Sequence, residues 1–320
     1  MHSNIHKSLL LAAALGATAV PAQAQSSNLT LSGKLDLGIG KNIGTMSSEM
    51  LDGAGSRLAF RGQEDLGGGW HAAFGLEHRF SPDTGQPANP NIFWQGYSTL
   101  GIGHDAWGTV NLGRQYTAAY STVQNVIDPW GGDTVAQLRT AWRGGISKTR
   151  VSDSVRYDLR RKDLHIAVSS AEAQQEGSNA GPRRPFSIGA NTRVGPVLLA
   201  VGWEDPAHAD DHLLSLGAAY KVGQARLALG LARGVTTRND DFKSMLLGVT
   251  YGVGVGEIKA GFVTAKTRKP DGSLRSEARK FGIGYFHHLS RRTFLYTNVA
   301  RDSKAATEKL GYDVGLQHNF

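Results

Sequence analysis

The stretch LTLSGKLDLGI, residues 29–39, divides into two faces when drawn as an extended chain. Leu29, Leu31, Leu35, Leu37 and Ile39 fall on one side, and Thr30, Ser32, Lys34 and Asp36 on the other. Side chains alternate across a strand, so a period of two marks a strand with one apolar and one polar surface. In WHAAFGLEHRF, Trp70, Phe74, Leu76 and Phe80 likewise oppose His71, Glu77 and Arg79. The pattern returns in ARLALGLAR through Leu227, Leu229 and Leu231, and in SMLLGVTY through Met245, Leu247, Val249 and Tyr251. It recurs in GYDVGLQHNF, residues 311–320, where Tyr312, Val314, Leu316, His318 and Phe320 share a side.

Such segments start near residues 29, 56, 70, 92, 109, 150, 164, 186, 197, 212, 225, 243, 257, 278, 293 and 311, sixteen in all. Segment 92–102 fits either face. Seven connections are short, namely EDLGGG, GHDAWG, RRKD, GP, KVGQ, GVGVG and HHLSRR, and they alternate with eight longer ones, such as 41–55, 172–185 and 266–277. A meander with tight turns at one end and long loops at the other has the asymmetry of a transmembrane barrel. Pairing the first strand with the last closes the sheet and removes both edges. In a barrel of that width the apolar face looks outward to lipid and the polar face lines water. The expected fold is all-β, a 16-stranded antiparallel transmembrane β-barrel over residues 25–320.

The bulk properties agree. Lys7, the apolar run Leu9 to Val20 and Ala22-Gln23-Ala24 form the three parts of a secretory signal peptide, residues 1–24. A dozen apolar residues are too few to cross a bilayer as a helix. The 320 residues include no cysteine, so an exported fold must rely on hydrogen bonds, packing or a membrane. The 41 glycines suit turns and curved sheet better than helices. A formal net charge of +8 is compatible with anionic solutes or lipid. Neither a clustered basic helix nor an aromatic single-strand platform accompanies it, which argues against nucleic acid.

About thirty residues between TVNLGRQ and RVSDSVRYDL carry no alternating strand. A compact protein seldom keeps such a loop without a use for it. It holds NVIDPWGGDT and then the basic piece QLRTAWRGGISKTR. Pro129 and Gly131-Gly132 favour a sharp turn around Trp130, bracketed by Asp128 and Asp133. A surface turn with solvated acids explains that composition as well. The strand faces favour a pore. Leu58 and Phe60 outward place Arg57 and Arg61 inward; Val155, Tyr157 and Leu159 outward place Arg150, Ser154 and Arg156 inward, on the face that carries Lys34. An inward loop would set Asp128 and Asp133 against these cations, and opposed charges across an aqueous opening set ion selectivity. Arg139 and Arg143 of the loop are weaker members. So is Arg114, whose parity with Val110 and Leu112 points to the outside, a bulge, the rim or a subunit contact.

The segments LSGKLDLG, SRLAFRGQEDLGGGW, WGTVNLGRQY, DPWGGDT, SVRYD and HHLSRRTFLY, with the final Phe320, resemble the trimeric general diffusion porins of Gram-negative outer membranes, particularly the beta-proteobacterial type. The resemblance implies sixteen strands, a homotrimer with one pore per subunit and a third loop folded into each barrel. Lys34, Arg57 and Arg150 match its basic cluster, and DPWGGD resembles its acidic inward loop, usually Pro-Glu-x-Gly-Gly-Asp. Here Asp128 precedes the proline and Trp130 follows it. Gln95 stands where the family's fourth strand usually brings a further wall arginine. Phe320 matches the terminal signal read by the outer-membrane assembly machinery. The implied function is passive, anion-preferring diffusion of small hydrophilic solutes and ions, without a cofactor or metal.

Two other function classes fit parts of the sequence. His104-Asp105, Asp210-Asp211-His212 and Asp240-Asp241 could serve a barrel-embedded hydrolase, yet none converges with a nucleophile in sequence. An exported β-rich adhesin could alternate too. His287-His288 lacks a ligand set, and GVGVG leads into a strand where a dinucleotide site needs a helix.

Overall fold

Strand β1 (Asn28–Lys41) splits its pairing between two partners far apart in the chain. Its first half runs antiparallel to β3 (Arg57–Gly67), from Asn28↔Gln63 to Lys34↔Arg57. Its second half runs antiparallel to β17 (Leu310–Asn319), from Lys34↔Asn319 to Lys41↔Tyr312. Between them lie β4 (Trp70–Arg79), β5 (Tyr97–His104), β6 (Gly108–Tyr116), β7 (Arg150–Arg160), β8 (Leu164–Ala171) and β9 (Phe186–Val194). The meander continues through β10 (Val197–Asp205), β11 (His212–Val222), β12 (Ala225–Val235), β13 (Asp241–Val253), β14 (Gly256–Arg268), β15 (Leu274–His288) and β16 (Thr293–Asp302). The three-residue β2 (Glu49–Leu51) only extends the row of β3 alongside β1. The sheet is therefore a closed barrel of sixteen long strands. This computed structural model describes residues 28–172 and 184–320. The signal-peptide segment 1–24 lies outside them.

The faces follow the sequence pattern. Leu29, Leu100, Leu229, Leu247, Ile283 and Val314 are exposed on the outer surface. In a soluble protein so continuous an apolar surface would be a liability; in hydrocarbon it is the required one. Segment 92–102 resolves at its second half: pairing starts with Glu77↔Tyr97, and Leu100 and Ile102 face out. Residues 92–96 belong instead to the loop, where Trp94 packs edge-on against Phe60 at 6.4 Å. Several loops are also shorter than alternation indicates. β14 runs on to Arg268 and β15 begins at Leu274, because strands continue past the apolar band with polar residues outward.

The apolar core lies inside the barrel. Ile127, Leu138 and Trp142 of the long connection, residues 117–149, are fully buried with Leu213, Phe242, Leu246 and Val263 of β11, β13 and β14. A barrel of sixteen strands is too wide for its wall side chains to fill. The third loop occupies part of the gap instead, folded inward as the resemblance implies. The wall makes room for it with glycine. A Cβ on Gly217 would stand 2.5 Å from Ile127, on Gly230 2.8 Å from Trp142, on Gly248 2.4 Å from Pro129 and on Gly261 2.6 Å from Leu138. Gly217↔Gly230 and Gly248↔Gly261 are direct cross-strand pairs, so the bare positions join into a trough.

Candidate constriction zone

The wall beside the loop carries a row of cations. Register sets Lys34 of β1 opposite Arg57 of β3, and Arg57 opposite Arg79 of β4. Like charges directly opposite one another on a sheet repel, so each needs a partner or water. Lys34 Nζ lies 3.3 Å from Asp133 Oδ2 of the loop. Arg57 Nη2 donates to the Ala54 carbonyl at 2.5 Å. Arg79 Nε donates to Glu77 Oε1 at 2.9 Å.

Arg150 joins the row from the far end of the loop. A bulge between Gly113 and Gln115 of β6 and the positive φ of Asp153 (51°) in β7 break the parity from which Arg150 was placed. Its guanidinium nevertheless reaches the same cluster, because Nη2 donates to Tyr116 Oη at 2.5 Å. Arg79 Nη2 donates to that oxygen at 3.3 Å. Tyr116 stacks on Tyr120 with centroids 5.0 Å apart and planes 5° apart. Arg139 Cζ lies 4.8 Å from the Tyr120 ring centre, and Arg143 Cζ 5.5 Å.

The loop is fastened at both ends. Glu204 of β10, buried in the wall, accepts from Thr117 Oγ1 at 2.8 Å and from the Lys148 amide at 2.5 Å, one at each root. At the tip, Trp130 Nε1 donates to Asn298 Oδ1 at 2.8 Å, and the Val135 amide donates to Asp313 Oδ2 at 2.8 Å. The first loop helps: the Thr134 amide donates to the Gly53 carbonyl at 2.6 Å, and the Gly53 amide donates to Asp36 Oδ1 at 3.0 Å.

The two loop acids part company. Asp128 turns into the loop, accepting from the Trp130 amide at 3.0 Å and from the Leu138 and Arg139 amides, both at 2.9 Å. Burial holds its carboxyl above the usual carboxylate range, although three backbone N–H groups oppose that shift. Asp133 is the acid that meets the basic row. Pro129 seats on Gly248, and Gly131 and Gly132 turn with positive φ. Gly132 is needed twice over: its φ is +82°, and a Cβ there would stand 2.0 Å from Arg139 Cζ.

The remaining predicted residues are dispersed. Arg61 lies farther along β3, its Nε donating to Tyr97 Oη at 2.7 Å. Arg156 is on the inner face but only 5% exposed. It pairs with Asp158 at 2.6 Å and donates to the Tyr116 carbonyl at 2.8 Å and Ser121 Oγ at 2.8 Å, bracing the loop's root. Arg143 is buried against Ser147 and Thr149. Burial pulls its guanidinium down to about 10, partly offset by the Glu204 carboxylate. Arg114 sits at the β6 bulge, donating to the Gln95 carbonyl at 3.0 Å and Ser152 Oγ at 2.9 Å. Gln95 itself precedes β5. Phe320 and Gly33 exchange backbone hydrogen bonds of 2.9 and 3.1 Å across the seam.

Sequence reasoning missed Arg79, Tyr116, Tyr120 and Glu204. Arg79 was on the polar face already, but only the register with Arg57 brings it into the row.

A closed lipid-facing barrel whose lumen is narrowed by a fastened, charged loop is a water-filled transmembrane pore. The chain belongs to the Gram-negative porin family, whose model matches residues 11–307. It is similar to an outer membrane porin protein of Bordetella pertussis, 27% identical over 98% of this chain and 100% of that one. Outer membrane porin protein 32 of Delftia acidovorans is 29% identical, covering 98% and 99%. Among solved structures, an anion-selective porin from Comamonas acidovorans superposes with a TM-score of 0.77 at 24% identity, over 92% of this chain and all of that one. The protein is thus an outer-membrane porin, a passive path for small hydrophilic solutes and ions.

Proposed function

We propose that this porin favours anions, and that Lys34, Arg57, Arg79 and Arg150, with Arg139 on the loop, form its filter. The observation that carries this reading is the register that aligns Lys34, Arg57 and Arg79 on three adjacent strands. Among the described residues only Asp133 and Glu77 form ion pairs with members of the set, so positive charge is in excess. In a narrow aqueous opening between low-dielectric walls, such an excess concentrates anions and repels cations. Arg61, four residues nearer the short turns, extends the positive wall by about 13 Å. The test is the reversal potential of purified protein in a planar bilayer under a KCl gradient. An anion-signed potential that shrinks in an Arg79→Gln/Arg150→Gln variant is expected; a cation-signed potential in the wild type would overturn the reading.

We further infer that residues 1–24 are removed on export, that the barrel works as a homotrimer in outer-membrane lipid, and that Phe320 serves the assembly machinery. The mature amino terminus should be Gln25 by sequencing. The unheated protein should migrate as a trimer on a gel, and deleting Phe320 should lower the folded fraction. Normal folding without Phe320 would refute its role.

A further inference from the structure

We propose that Tyr116 is a specificity-determining positioning residue: its phenol oxygen is the spacer that holds Arg79 and Arg150 together as one anion-binding rung. The inference rests on the anion filter proposed above and names the device that shapes it.

Two guanidinium groups donate to this oxygen, Arg150 Nη2 at 2.5 Å and Arg79 Nη2 at 3.3 Å. A phenol oxygen has two lone pairs and can accept from both. The two Nη2 atoms are then no further apart than the sum of those distances, within the range where like charges repel strongly. Arg79 has another anchor in Glu77, at 2.9 Å. Among the described residues Arg150 has no such carboxylate. Among those residues its side chain makes one hydrogen bond, to Tyr116, and its Nε is buried without a partner. Arg150 is thus held in a repulsive position by this one residue, which also offers its ring face, 4.2 Å from Cζ.

The rest of the stack fixes the spacer. Tyr116 ends β6, beside Arg150 in register, so its backbone is tied to the barrel. Its ring lies between the Arg150 guanidinium and Tyr120, and Tyr120 in turn lies under Arg139. Tyr120 Oη is used elsewhere, donating to Asn125 Oδ1 at 3.1 Å. The two tyrosines therefore have separable parts: both rings build the stack, and only the Tyr116 oxygen bridges wall arginines.

Tyr116→Phe keeps the stack and removes the bridge, while Tyr157→Phe removes a phenol oxygen on the outer face of β7, where it donates to the Trp107 carbonyl at 2.6 Å and touches no residue of the filter. Each would be made in the wild type and in an Arg79→Gln/Arg150→Gln background, checked for heat-stable assembly, and measured for reversal potential under a KCl gradient. The expected result is at least a twofold fall in anion-to-cation permeability ratio for Tyr116→Phe in the wild type, none for Tyr157→Phe, and none for Tyr116→Phe in the double-glutamine background. An assembled Tyr116→Phe protein with the wild-type ratio would overturn the proposal and leave the filter standing. An equal fall in the double-glutamine background would also overturn it, since the tyrosine would not then act through the arginines. A double-glutamine variant with wild-type selectivity would overturn the filter itself, and the spacer with it.

Discussion

Replacing Gly230 by alanine tests whether the glycine trough sets the position of the third loop. The added Cβ would stand 2.8 Å from both Cε2 and Cζ2 of Trp142 and 3.2 Å from Cγ2 of Ile127. Neither neighbour can swing aside into water, because both side chains are fully buried. The Trp142 carbonyl accepts from Ser244 Oγ at 2.6 Å, but its ring is held by packing, the indole N–H having no hydrogen-bond partner among the described residues. Overpacking a close-fitted site of this kind costs about 1–3 kcal/mol. The ladder of β12 is untouched, so the cost falls on docking of the loop and not on closure of the barrel. At about tenfold for each 1.4 kcal/mol, the ratio of docked to undocked loop should fall by about one to two orders of magnitude. Single-channel recording should show added open-channel noise and a broader conductance distribution, and limited proteolysis of the folded barrel should cut between residues 117 and 149. Gly252→Ala is the matched control, since a Cβ there meets nothing nearer than 3.8 Å. If Gly230→Ala gives quiet channels of wild-type conductance and a protease-resistant loop, the trough does not determine where the loop sits.

Two further outcomes follow from the loop's fastenings. Glu204→Ala removes the acceptor of both roots and leaves the half-buried Lys148 amide without this partner, a loss of about 1–3 kcal/mol. Hydrogen exchange at Thr117 and Lys148 should accelerate while exchange in β12 to β15 stays unchanged; uniform acceleration would mean that Glu204 serves the whole barrel. Asp133→Asn removes the carboxylate paired with Lys34, whose side chain is 18% exposed against 37% for Asp133. Stability should change by less than about 1 kcal/mol, because a solvated pair is worth little, while the anion-to-cation permeability ratio rises. An unchanged ratio would remove Asp133 from the ion path.

What the sequence disclosed tracks how directly a side chain meets a solvent boundary. β1 was legible because one of its faces must satisfy hydrocarbon and the other water, which forces strict alternation from Leu29 to Ile39. The ends of β14 and β15 were not, since beyond the apolar band Lys266 and Arg268 point outward without a sequence signature. Lys34 and Arg57 could be placed on the inner face by counting. Arg79 needed cross-strand register, which alternation within a single strand does not contain. The acids of the loop illustrate a different limit. Asp128 and Asp133 are equivalent in composition, and only the turn geometry sends one to three backbone amides and the other to Lys34. Arg156 shows that correct facing is not yet a role: its inward side chain is consumed by Asp158 and the loop root. The trough was hidden in plain sight. Forty-one glycines were read as turns and curvature, but those at 217, 230, 248 and 261 serve close contact with a segment remote in sequence.

The divided pairing of β1 also orders events in time. Its half-ladder to β3 closes a short stretch of chain, whereas Lys34↔Asn319 joins residues separated by nearly the whole described sequence. Contacts of such long sequence separation bear the largest loop-closure entropy, and folding is slow when they dominate. Until β17 arrives, the second half of β1 and the free side of β17 remain two adhesive borders on an unfinished sheet, able to capture a strand of another chain. The interval before closure is therefore the vulnerable period in the life of this pore, and conditions that lengthen it should increase aggregation without altering a single contact in the finished barrel.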